Sequence, residues 1–356
     1  MKSAIITGAG GFIGGYAVKE FIESGWHVVC VVHHRIPTYL QSLADAGKVS
    51  LIKADLTARG SFAAAVAEFG GRGNCDALVH CAAKVCDVGR EEHYRNINYD
   101  AVRELAFWCA DKGRCRFVFV STTDVYGFID GQGAAEDELA YAEGRLNPYQ
   151  KYKILSEKAI KRILPDDRWV IIRPGSVWGS GDRLVGPRIV RFLESSPLIV
   201  CFGRYHGRNR WPLSHVRNVA AAIRLSADDS QITGKAVTVV DSERSNVKDV
   251  FQMFASIYLP GKKLRSLSLP CWLFLPISSM NVWTCRLLDR HKPLFDPTTY
   301  TLRLSSANRD YSNERFRRLL DRHGRKPVTK EEGMRDLRFL EDLSSTEPQI
   351  QRTAPP

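Results

Sequence analysis

The sequence predicts a doubly wound α/β protein with a central parallel sheet. Short apolar runs rich in Val and Ile alternate with helical patterns through the first half of the chain. A glycine-rich turn joins the first apolar run to the first helical pattern. Buried strands joined by helices are typical of a parallel sheet covered on both faces. We expect a smaller C-terminal substrate-binding domain, interleaved with the sheet.

Seven strands and five helices carry this prediction. The predicted strands are Ala4–Thr7, His27–Val32, Val49–Ala54, Ala77–Cys81, Phe117–Ser121, Trp169–Arg173 and Val237–Val240. The predicted helices are Phe12–Ser24, Ser61–Phe69, Glu91–Asp111, Pro148–Leu164 and Val216–Ala227. The sheet-bearing domain is expected over 1–178, completed by about 214–242. The cap is expected over 179–213 and 243–343, and a disordered tail over 344–356.

Composition places the chain among ordinary globular proteins. Of its 356 residues 44% are hydrophobic and 25% charged, and the net charge is +12. The basic surplus favours anionic partners, but no Lys/Arg block with interleaved aromatic residues predicts nucleic-acid binding. The nine cysteines form no CxxC pair. We therefore expect reduced thiols, no metal site and a cytoplasmic protein without a signal peptide.

One apolar stretch, Leu269–Ile277, stands out in the second half. It contains Pro270 and Pro276 and is too short to span a bilayer. We expect it to pack inside the protein. A weak contact with a membrane surface is the alternative.

The glycine turn lies directly between the first strand and the first helix. Gly8, Gly11 and Gly14 fit the spacing TGxxGxxG. Glycines let the backbone turn tightly and approach a pyrophosphate, and the helix N-terminus offers unpaired N–H groups to it. We expect Phe12 and Ile13 to join these contacts, which predicts a Rossmann dinucleotide-binding fold. A structural turn without a ligand is the alternative.

The residues after the second strand bear on the choice of cofactor. His33, His34 and Arg35 stand there, with no carboxylate beside them in the sequence. Arg35 is suited to pair with a 2′-phosphate, so NADP(H) is favoured, NAD(H) remains possible, and a solvent-facing Arg35 is the alternative. Further cofactor contacts are expected from the ends of the next two strands, at Asp55, Leu56, Cys81, Ala82 and Ala83.

A proton-transfer pair is predicted in the helix that begins at Pro148. Tyr149 and Lys153 are four residues apart and share a helix face. An ammonium group beside a phenol favours the phenolate and lowers the pKa of the tyrosine from about 10. Both residues are also expected to contact the cofactor. An ordinary exposed helix is the alternative.

A hydroxyl partner is expected after the fifth strand, where ligands bind in open α/β sheets. Thr122 is preferred for the bond to the substrate oxygen, with Ser121 and Thr123 as runners-up. Asn98 is expected to hold a water that relays a proton to Lys153. Its alternative is an asparagine bonded within its own helix.

Taken in order, seven motifs resemble the extended short-chain dehydrogenase/reductase superfamily, which includes NAD-dependent epimerases/dehydratases and 3β-hydroxysteroid dehydrogenase-like enzymes. The motifs are TGAGGFIG, Asp55-Leu56, HCAA, Asn98, STTDVYG, NPYQKYK and RPGSVWG. The resemblance implies a catalytic set of Asn98, Thr122, Tyr149 and Lys153. It also implies that Pro174 and Val177 contact the nicotinamide, and that a homodimer forms through helices flanking the sheet.

The resemblance implies an oxidoreductase that interconverts a secondary alcohol and a ketone of a small molecule. Lys84, Thr123 and Arg183 are expected to contact the substrate. The apolar stretch Leu269–Trp283 looks like the 3β-hydroxysteroid dehydrogenase and dihydroflavonol-reductase branch. A nucleotide-sugar epimerase or 4-ketoreductase is the alternative, because several arginines of the cap are suited to clamp a diphosphate. These are Arg183, Arg188, Arg204, Arg208 and Arg210. A non-catalytic NAD(P)H-binding protein is the third possibility.

Overall fold

A computed structural model describes residues 1–69, 75–144, 146–196 and 198–344 of the chain. Its strands are β1 (Ser3–Thr7), β2 (His27–Val32), β3 (Val49–Lys53), β4 (Ala77–His80), β5 (Arg116–Val120), β6 (Trp169–Pro174), β7 (Ser176–Trp178), β8 (Leu198–Phe202), β9 (Leu213–His215), β10 (Lys235–Val239) and β11 (Arg265–Leu269). Each predicted strand is present, with its bounds moved by two residues at most.

Seven strands form one sheet in the order β10-β6-β5-β4-β1-β2-β3. All of its pairings are parallel. Successive strands are added toward one edge from β1 to β3 and toward the other edge from β4 to β6. The strand order thus reverses between β1 and β4, and open α/β sheets bind ligands at such a point. The predicted fold class is confirmed. Two short two-stranded sheets, β11-β8 and β7-β9, lie outside the main sheet.

The helices cover both faces of the sheet and build the second half of the chain. They are α1 (Phe12–Glu23), α2 (Thr38–Asp45), α3 (Ser61–Glu68), α4 (Glu91–Arg95), α5 (Ala101–Asp111), α6 (Pro148–Ile163), α7 (Val185–Ser195), α8 (Val216–Ser226), α9 (Val247–Tyr258), α10 (Cys271–Leu287), α11 (Thr299–Ser306), α12 (Glu314–Arg322) and α13 (Lys330–Ser344). The long helix predicted over Glu91–Asp111 is continuous but contains a π-helical turn at Asn96–Asp100, between α4 and α5.

Helices α2, α7 and α9 to α13 were not predicted, and two of them show why. Helix α2 buries Leu40 alone, so its sequence has no apolar stripe. Helix α7 carries Gly186 and Pro187 near its start, which favour a loop in the sequence but are tolerated in a first helical turn.

The expectation that Leu269–Ile277 packs inside the protein is wrong. Trp272, Leu273 and Ile277 lie on α10 with 70%, 48% and 50% of their surface exposed. The buried side chains of α10 are Ser278, Asn281, Val282 and Cys285, all of which lie beyond this segment. Among the described residues, none of the helices combines the length and the hydropathy that a membrane crossing needs.

The core lies in two layers, one on each face of the main sheet. Helices α1, α8 and α12 enclose one layer, and α3, α5 and α6 enclose the other. A third cluster joins α7, α9 and β8. All nine cysteines fall within the described ranges, and all are free thiols, as predicted. The domain bounds stay a prediction, and the tail expected over 344–356 lies outside the described residues apart from Ser344.

Candidate active site

The predicted site residues gather at the carboxyl ends of β1, β4, β5 and β6. The glycine turn follows β1, and Gly8 has a φ of 69°, which favours glycine. A Cβ on Gly8 would lie 2.6 Å from the backbone nitrogen of Ala82, just beyond β4. The turn and the β4 loop therefore approach each other to backbone contact, and only glycine permits this.

The same turn opens the N-terminus of α1. Gly11 is the N-cap residue and provides no side-chain cap, so the first N–H groups of the helix stay available to a ligand. A Cβ on Gly14 would overlap the carbonyl oxygen of Gly8. Phe12 and Ile13 are half-buried beside the turn. This cradle fits a phosphate group, because it offers backbone donors and the positive end of the helix dipole.

A carboxylate lies beside the residues that follow β2, although none is adjacent in the sequence. The centroids of the His33 and His34 rings lie 3.5 Å apart with the rings tilted by 38°, and His33 Nε2 lies 3.6 Å from Asp55 Oδ2. The N–H and hydroxyl of Thr57 donate to Asp55 and lower the pKa of its carboxyl group. Arg35 is exposed. Sequence reasoning missed this carboxylate because it reaches His33 from the end of the neighbouring strand, β3.

Asn98 fixes the loop that follows β4. Its side-chain oxygen accepts from the N–H of Lys84 at 2.8 Å, and its Nδ2 donates to the Lys84 carbonyl at 2.9 Å. Its own carbonyl, inside the π-helical turn, accepts from the Ser156 hydroxyl of α6. These contacts hold the half-buried Cys81, Ala82 and Ala83 beside the glycine turn. The side chain of Asn98 thus positions a loop, and the predicted water relay stays a prediction.

Helix α6 carries both members of the predicted proton-transfer pair. Asn147 caps it with Gln150 in a reciprocal capping box, which fixes where the helix begins. Lys153 is 2% exposed, and its ammonium group donates to the carbonyl of Val120 at 2.7 Å, at the end of β5. Burial lowers the pKa of Lys153 to about 8. The alternative of an exposed helix face is therefore wrong for this lysine.

The pKa of Tyr149 is raised, which corrects the expectation that Lys153 lowers it. Burial is the largest cause, the negative charge of Asp124 adds to it, and a hydrogen bond with Thr122 opposes it. The ammonium group of Lys153 lies 6.0 Å from the centroid of the phenol ring and is bonded to Val120 instead. The phenol is consequently protonated at neutral pH, and a protonated phenol can donate a proton.

The structure separates the three hydroxyls that follow β5. Ser121 donates its hydroxyl to Glu157 at 2.5 Å, and that carboxylate forms a buried pair with Arg173. Thr122 bonds to Tyr149 and also accepts from the N–H of Asp124. The Thr123 hydroxyl is buried without a partner among the described residues. Thr122 is the hydroxyl placed with the phenol, so its choice over Ser121 has a structural reason.

A buried charge network next to these residues was not predicted. Asp124 accepts from the hydroxyl of Tyr300, at 2.5 Å, and from Arg309 Nη1, at 3.1 Å. Burial raises the pKa of Tyr300, and the neighbouring Asp124 adds to this. Tyr300 lies on α11, far along the chain from Asp124. No spacing in the sequence indicates such a contact, so sequence reasoning had no signal for it.

The predicted substrate residues do not converge on one point. The ammonium group of Lys84 lies 3.4 Å from His291 Nδ1 and over the ring of Tyr94. Arg183 is exposed and close enough to Tyr39 to lower the pKa of that phenol, which burial raises. Because Tyr39 donates to the carbonyl of Ala9, Arg183 lies near the glycine turn. The substrate roles of these residues stay predictions.

The last predicted contacts are Pro174, Val177 and Leu56. Pro174 ends β6 and is buried, and Val177 is the middle residue of β7, opposite Ser214 of β9. Leu56 packs against the sheet core rather than standing free.

A cavity of about 630 Å³ lies between α6 and the second half of the chain. Its lining includes Tyr126, Gly127 and Gln150 on one side and Arg204, Tyr205 and Cys271 on the other. Its walls therefore come from α6, from the loop that precedes it and from the second half of the chain.

The fold and this site define a dinucleotide-binding oxidoreductase of the short-chain dehydrogenase/reductase type. A family model matches residues 4–239, and the chain belongs to the NAD dependent epimerase/dehydratase family. The predicted superfamily is confirmed. Membership of this family makes the chain an enzyme and argues against the non-catalytic alternative.

Two relatives and one solved structure illustrate the likeness. The 2-alkyl-3-oxoalkanoate reductase of Stenotrophomonas maltophilia is 26% identical over 72% of this chain and 76% of its own length. The decarboxylating sterol-4-alpha-carboxylate 3-dehydrogenase of Homo sapiens is 23% identical over 68% of this chain and 63% of its own length, which is less than two thirds. The UDP-glucuronic acid 4-epimerase of Bacillus cereus, solved with UDP-glucuronic acid and NAD, superimposes with a TM-score of 0.67 at 20% identity over 95% of this chain and 99% of its own. The last likeness shows the fold alone.

Proposed function

We propose that this enzyme interconverts a secondary alcohol and a ketone by hydride transfer, with Tyr149 as the acid/base. The observation that carries the proposal is the burial of Tyr149 beside Thr122, whose hydroxyl lowers the pKa of the phenol, with Lys153 one helical turn further along α6. A protonated phenol and a hydroxyl that point at one place can together bind and protonate a carbonyl oxygen.

Each residue has a separate task in this proposal. Tyr149 donates a proton to the carbonyl oxygen in reduction and accepts it back in oxidation. Thr122 orients that oxygen. Lys153 holds a charge behind the phenol, and Asn98 keeps the β4 loop in place and supports a water relay. In this arrangement proton transfer stays inside a site that excludes bulk water, since both Tyr149 and Lys153 are buried.

The glycine turn is proposed to hold NAD(P)(H), which supplies or accepts the hydride. The cradle at Gly8, Gly11 and Gly14 fits a pyrophosphate, as described above. Arg35 supports NADP(H), because it is exposed beside the end of β2. Asp55 beside His33 supports NAD(H), because a carboxylate repels a 2′-phosphate and can bind ribose hydroxyls instead.

Two of the five cap arginines, Arg188 and Arg204, favour the alcohol/ketone proposal over a nucleotide-sugar substrate. Arg188 is bonded to Asp87 at 2.6 Å and also to Asp296. Arg204 is bonded to Asp130 and to Tyr205. Both guanidinium groups already have carboxylate partners, so neither is open to clamp a diphosphate. The names of the two relatives likewise describe oxidation or reduction at carbon 3 of a compound that carries a carboxylate.

The substitution Tyr149→Phe tests the proposal. We expect turnover to fall by at least about a hundredfold, because the proton donor is removed. Binding of the nicotinamide cofactor, followed by its fluorescence, is expected to persist. The matched control is Tyr152→Phe, three residues along the same helix, whose hydroxyl donates to Glu91 instead. Similar turnover in the two variants would refute the role of Tyr149.

A titration of the purified enzyme with NADPH and NADH separates the two cofactor proposals. Preferential binding of NADPH, lost in Arg35→Ala, would assign the 2′-phosphate to Arg35. Preferential binding of NADH would indicate that the carboxylate of Asp55 binds the ribose hydroxyls of the cofactor. Copurified NAD that resists dialysis would favour the epimerase alternative, since an epimerase regenerates its cofactor in every turnover.

A further inference from the structure

Helix α10 exposes its large apolar side chains and buries small and polar ones, which is the opposite of a normal surface helix. A helix of a globular protein buries its apolar stripe and exposes its polar residues. In α10 the buried side chains are small or polar, and they are Ser278, Asn281, Val282 and Cys285. The exposed side chains are large and apolar, and they are Trp272, Leu273, Leu275, Ile277, Met280, Trp283 and Leu287. Trp272 and Trp283 are 70% and 64% exposed.

Hydrogen bonds fix this orientation. The Ser278 hydroxyl donates to the Pro297 carbonyl at 2.7 Å, and Asn281 Nδ2 donates to the Phe295 carbonyl at 2.7 Å. The N–H of Leu294 donates back to the side-chain oxygen of Asn281 at 3.1 Å. Rotating α10 to bury its apolar face would leave these buried polar groups without partners, which is costly. The outward apolar face is therefore built into the fold.

The apolar face continues beyond the helix. Leu288, Leu294 and Phe295 are 60%, 48% and 43% exposed in the segment that follows α10, and Leu267 is 43% exposed in the strand that precedes it. We call α10 with these four residues the apolar face. So many exposed large apolar side chains in one segment are unusual on a protein that meets only water.

Positive charge surrounds the apolar face. Five exposed basic residues flank it in the chain, and they are Lys263, Arg265, Arg286, Arg290 and Lys292. Between residues 259 and 295 the sequence contains one acidic residue, Asp289. Asp289 is already paired with Arg90, at 3.6 Å, and with His93, at 3.3 Å. Asp296 follows Phe295 directly and is paired with Arg188. The rim of the apolar face is thus mainly cationic.

We propose that the apolar face binds the surface of an anionic lipid bilayer, with α10 lying in the interfacial plane. Tryptophan and leucine on one face, with Lys and Arg at its rim, are the side chains that interfacial helices use. Anionic lipid headgroups complement the basic rim, and each Lys or Arg near such a surface adds to binding. A second copy of the chain is a poorer partner, because it would bring the same basic rim against this one. The proposal does not rest on the proposed reaction.

Vesicle flotation with the full-length protein tests this proposal. The probes are vesicles of phosphatidylcholine alone and of phosphatidylcholine mixed with phosphatidylserine. We expect the protein to float with the mixed vesicles, to bind the neutral ones more weakly, and to be released from the mixed ones by added salt. The double variant Trp272→Ala/Trp283→Ala is expected to bind the mixed vesicles at least about tenfold more weakly than the wild type does.

Matched variants distinguish a lipid contact of the apolar face from the general effect of removing an exposed aromatic or basic side chain. Phe107→Ala removes an aromatic side chain that is 54% exposed on α5, away from the apolar face, and is expected to bind vesicles like the wild type. Arg290→Gln/Lys292→Gln is expected to lose the preference for anionic vesicles, whereas Arg317→Gln/Arg318→Gln on α12 keeps it. Circular dichroism confirms that each variant is folded.

Three results would overturn the proposal. The first is wild-type protein that stays unbound with the mixed vesicles. The second is equal vesicle binding by the wild type and the tryptophan double variant. The third is a wild-type dimer in light scattering that becomes a monomer in the double variant without any vesicle binding, which would assign the apolar face to a second copy of the chain.

Discussion

Replacing Lys153 with methionine removes a buried ammonium group and keeps a flexible side chain of similar length. In the folded protein, burial lowers the pKa of Lys153 from its usual 10.5 to about 8. This difference corresponds to about 3 kcal/mol by which folding disfavours the charged form. The hydrogen bond to the Val120 carbonyl is lost in the variant, and an unsatisfied buried carbonyl costs about 1–2 kcal/mol. We therefore expect Lys153→Met to be more stable than the wild type by about 1–2 kcal/mol near pH 7.

The sign of this effect depends on pH. Below pH 8 the wild type carries the full penalty, since the lysine is charged in both the folded and unfolded states. Between about pH 8 and the usual pKa of 10.5 the folded lysine loses its proton first, so the wild type gains stability relative to the variant as pH rises. Above that range only the lost hydrogen bond remains, and the variant is expected to be the less stable protein.

Urea denaturation of both proteins at about pH 7 and about pH 10 measures this crossing. Other groups titrate over the same range, but they are shared by both proteins and cancel in the difference. The control is Lys151→Met, because the exposed Lys151 pairs with Glu91, which raises its pKa. That variant is expected to lose at most about 1 kcal/mol and to show no gain near pH 7. If Lys153→Met were less stable than the wild type at both pH values, the argument from burial would be refuted.

Two further predictions concern the cofactor cradle and the proton donor. Gly14→Ala is expected to destabilise the turn by about 3 kcal/mol or more and to abolish nicotinamide binding, because the added Cβ overlaps a backbone carbonyl; unchanged fluorescence titration with NADPH and NADH would contradict this. Asp124→Asn is expected to lower the pKa of Tyr149, because it removes a negative charge that raises it; the alkaline limb of the pH profile for ketone reduction should move down by about one pH unit, and an unmoved limb would contradict the assignment.

The sheet could be predicted because each strand carries its own signal. Runs such as Val28–Val32 are apolar throughout, and burial on both faces leaves no reason for polar alternation. The glycine turn could be predicted for a similar reason, since the backbone contact between Gly8 and Ala82 leaves glycine as the sole choice. Local sequence therefore determines both the strands and the phosphate cradle.

The cap could not be predicted in the same way. Helix α10 violates the usual relation between hydropathy and burial, so its apolar residues gave an expectation of burial that is wrong. The carboxylate of Asp55 beside His33 depends on the order of β2 and β3 in the sheet. Such facts follow from tertiary neighbours, which a single sequence does not display.

For the tyrosine–lysine pair, the predicted placement was correct but the predicted direction of the pKa shift of the tyrosine was wrong. The spacing placed Tyr149 and Lys153 on one face of α6, and the structure keeps them there. The expected effect on the phenol assumed that the ammonium group points at it. In the structure that ammonium group donates to Val120, and both side chains are buried. Burial favours the neutral form of each residue, so it raises the pKa of Tyr149 and lowers the pKa of Lys153.

Asp124 connects this chemistry to the cap. Its carboxylate is held by Tyr300 of α11 and by Arg309, while its charge acts on the pKa of Tyr149 in α6. The guanidinium of Arg309 partly balances that charge, because the two groups form a buried ion pair. A displacement of α11 would weaken these contacts and leave the carboxylate less compensated, which would raise the proton affinity of Tyr149 further. The position of α11 and the pKa of Tyr149, the proposed proton donor, are therefore coupled through the buried side chain of Asp124.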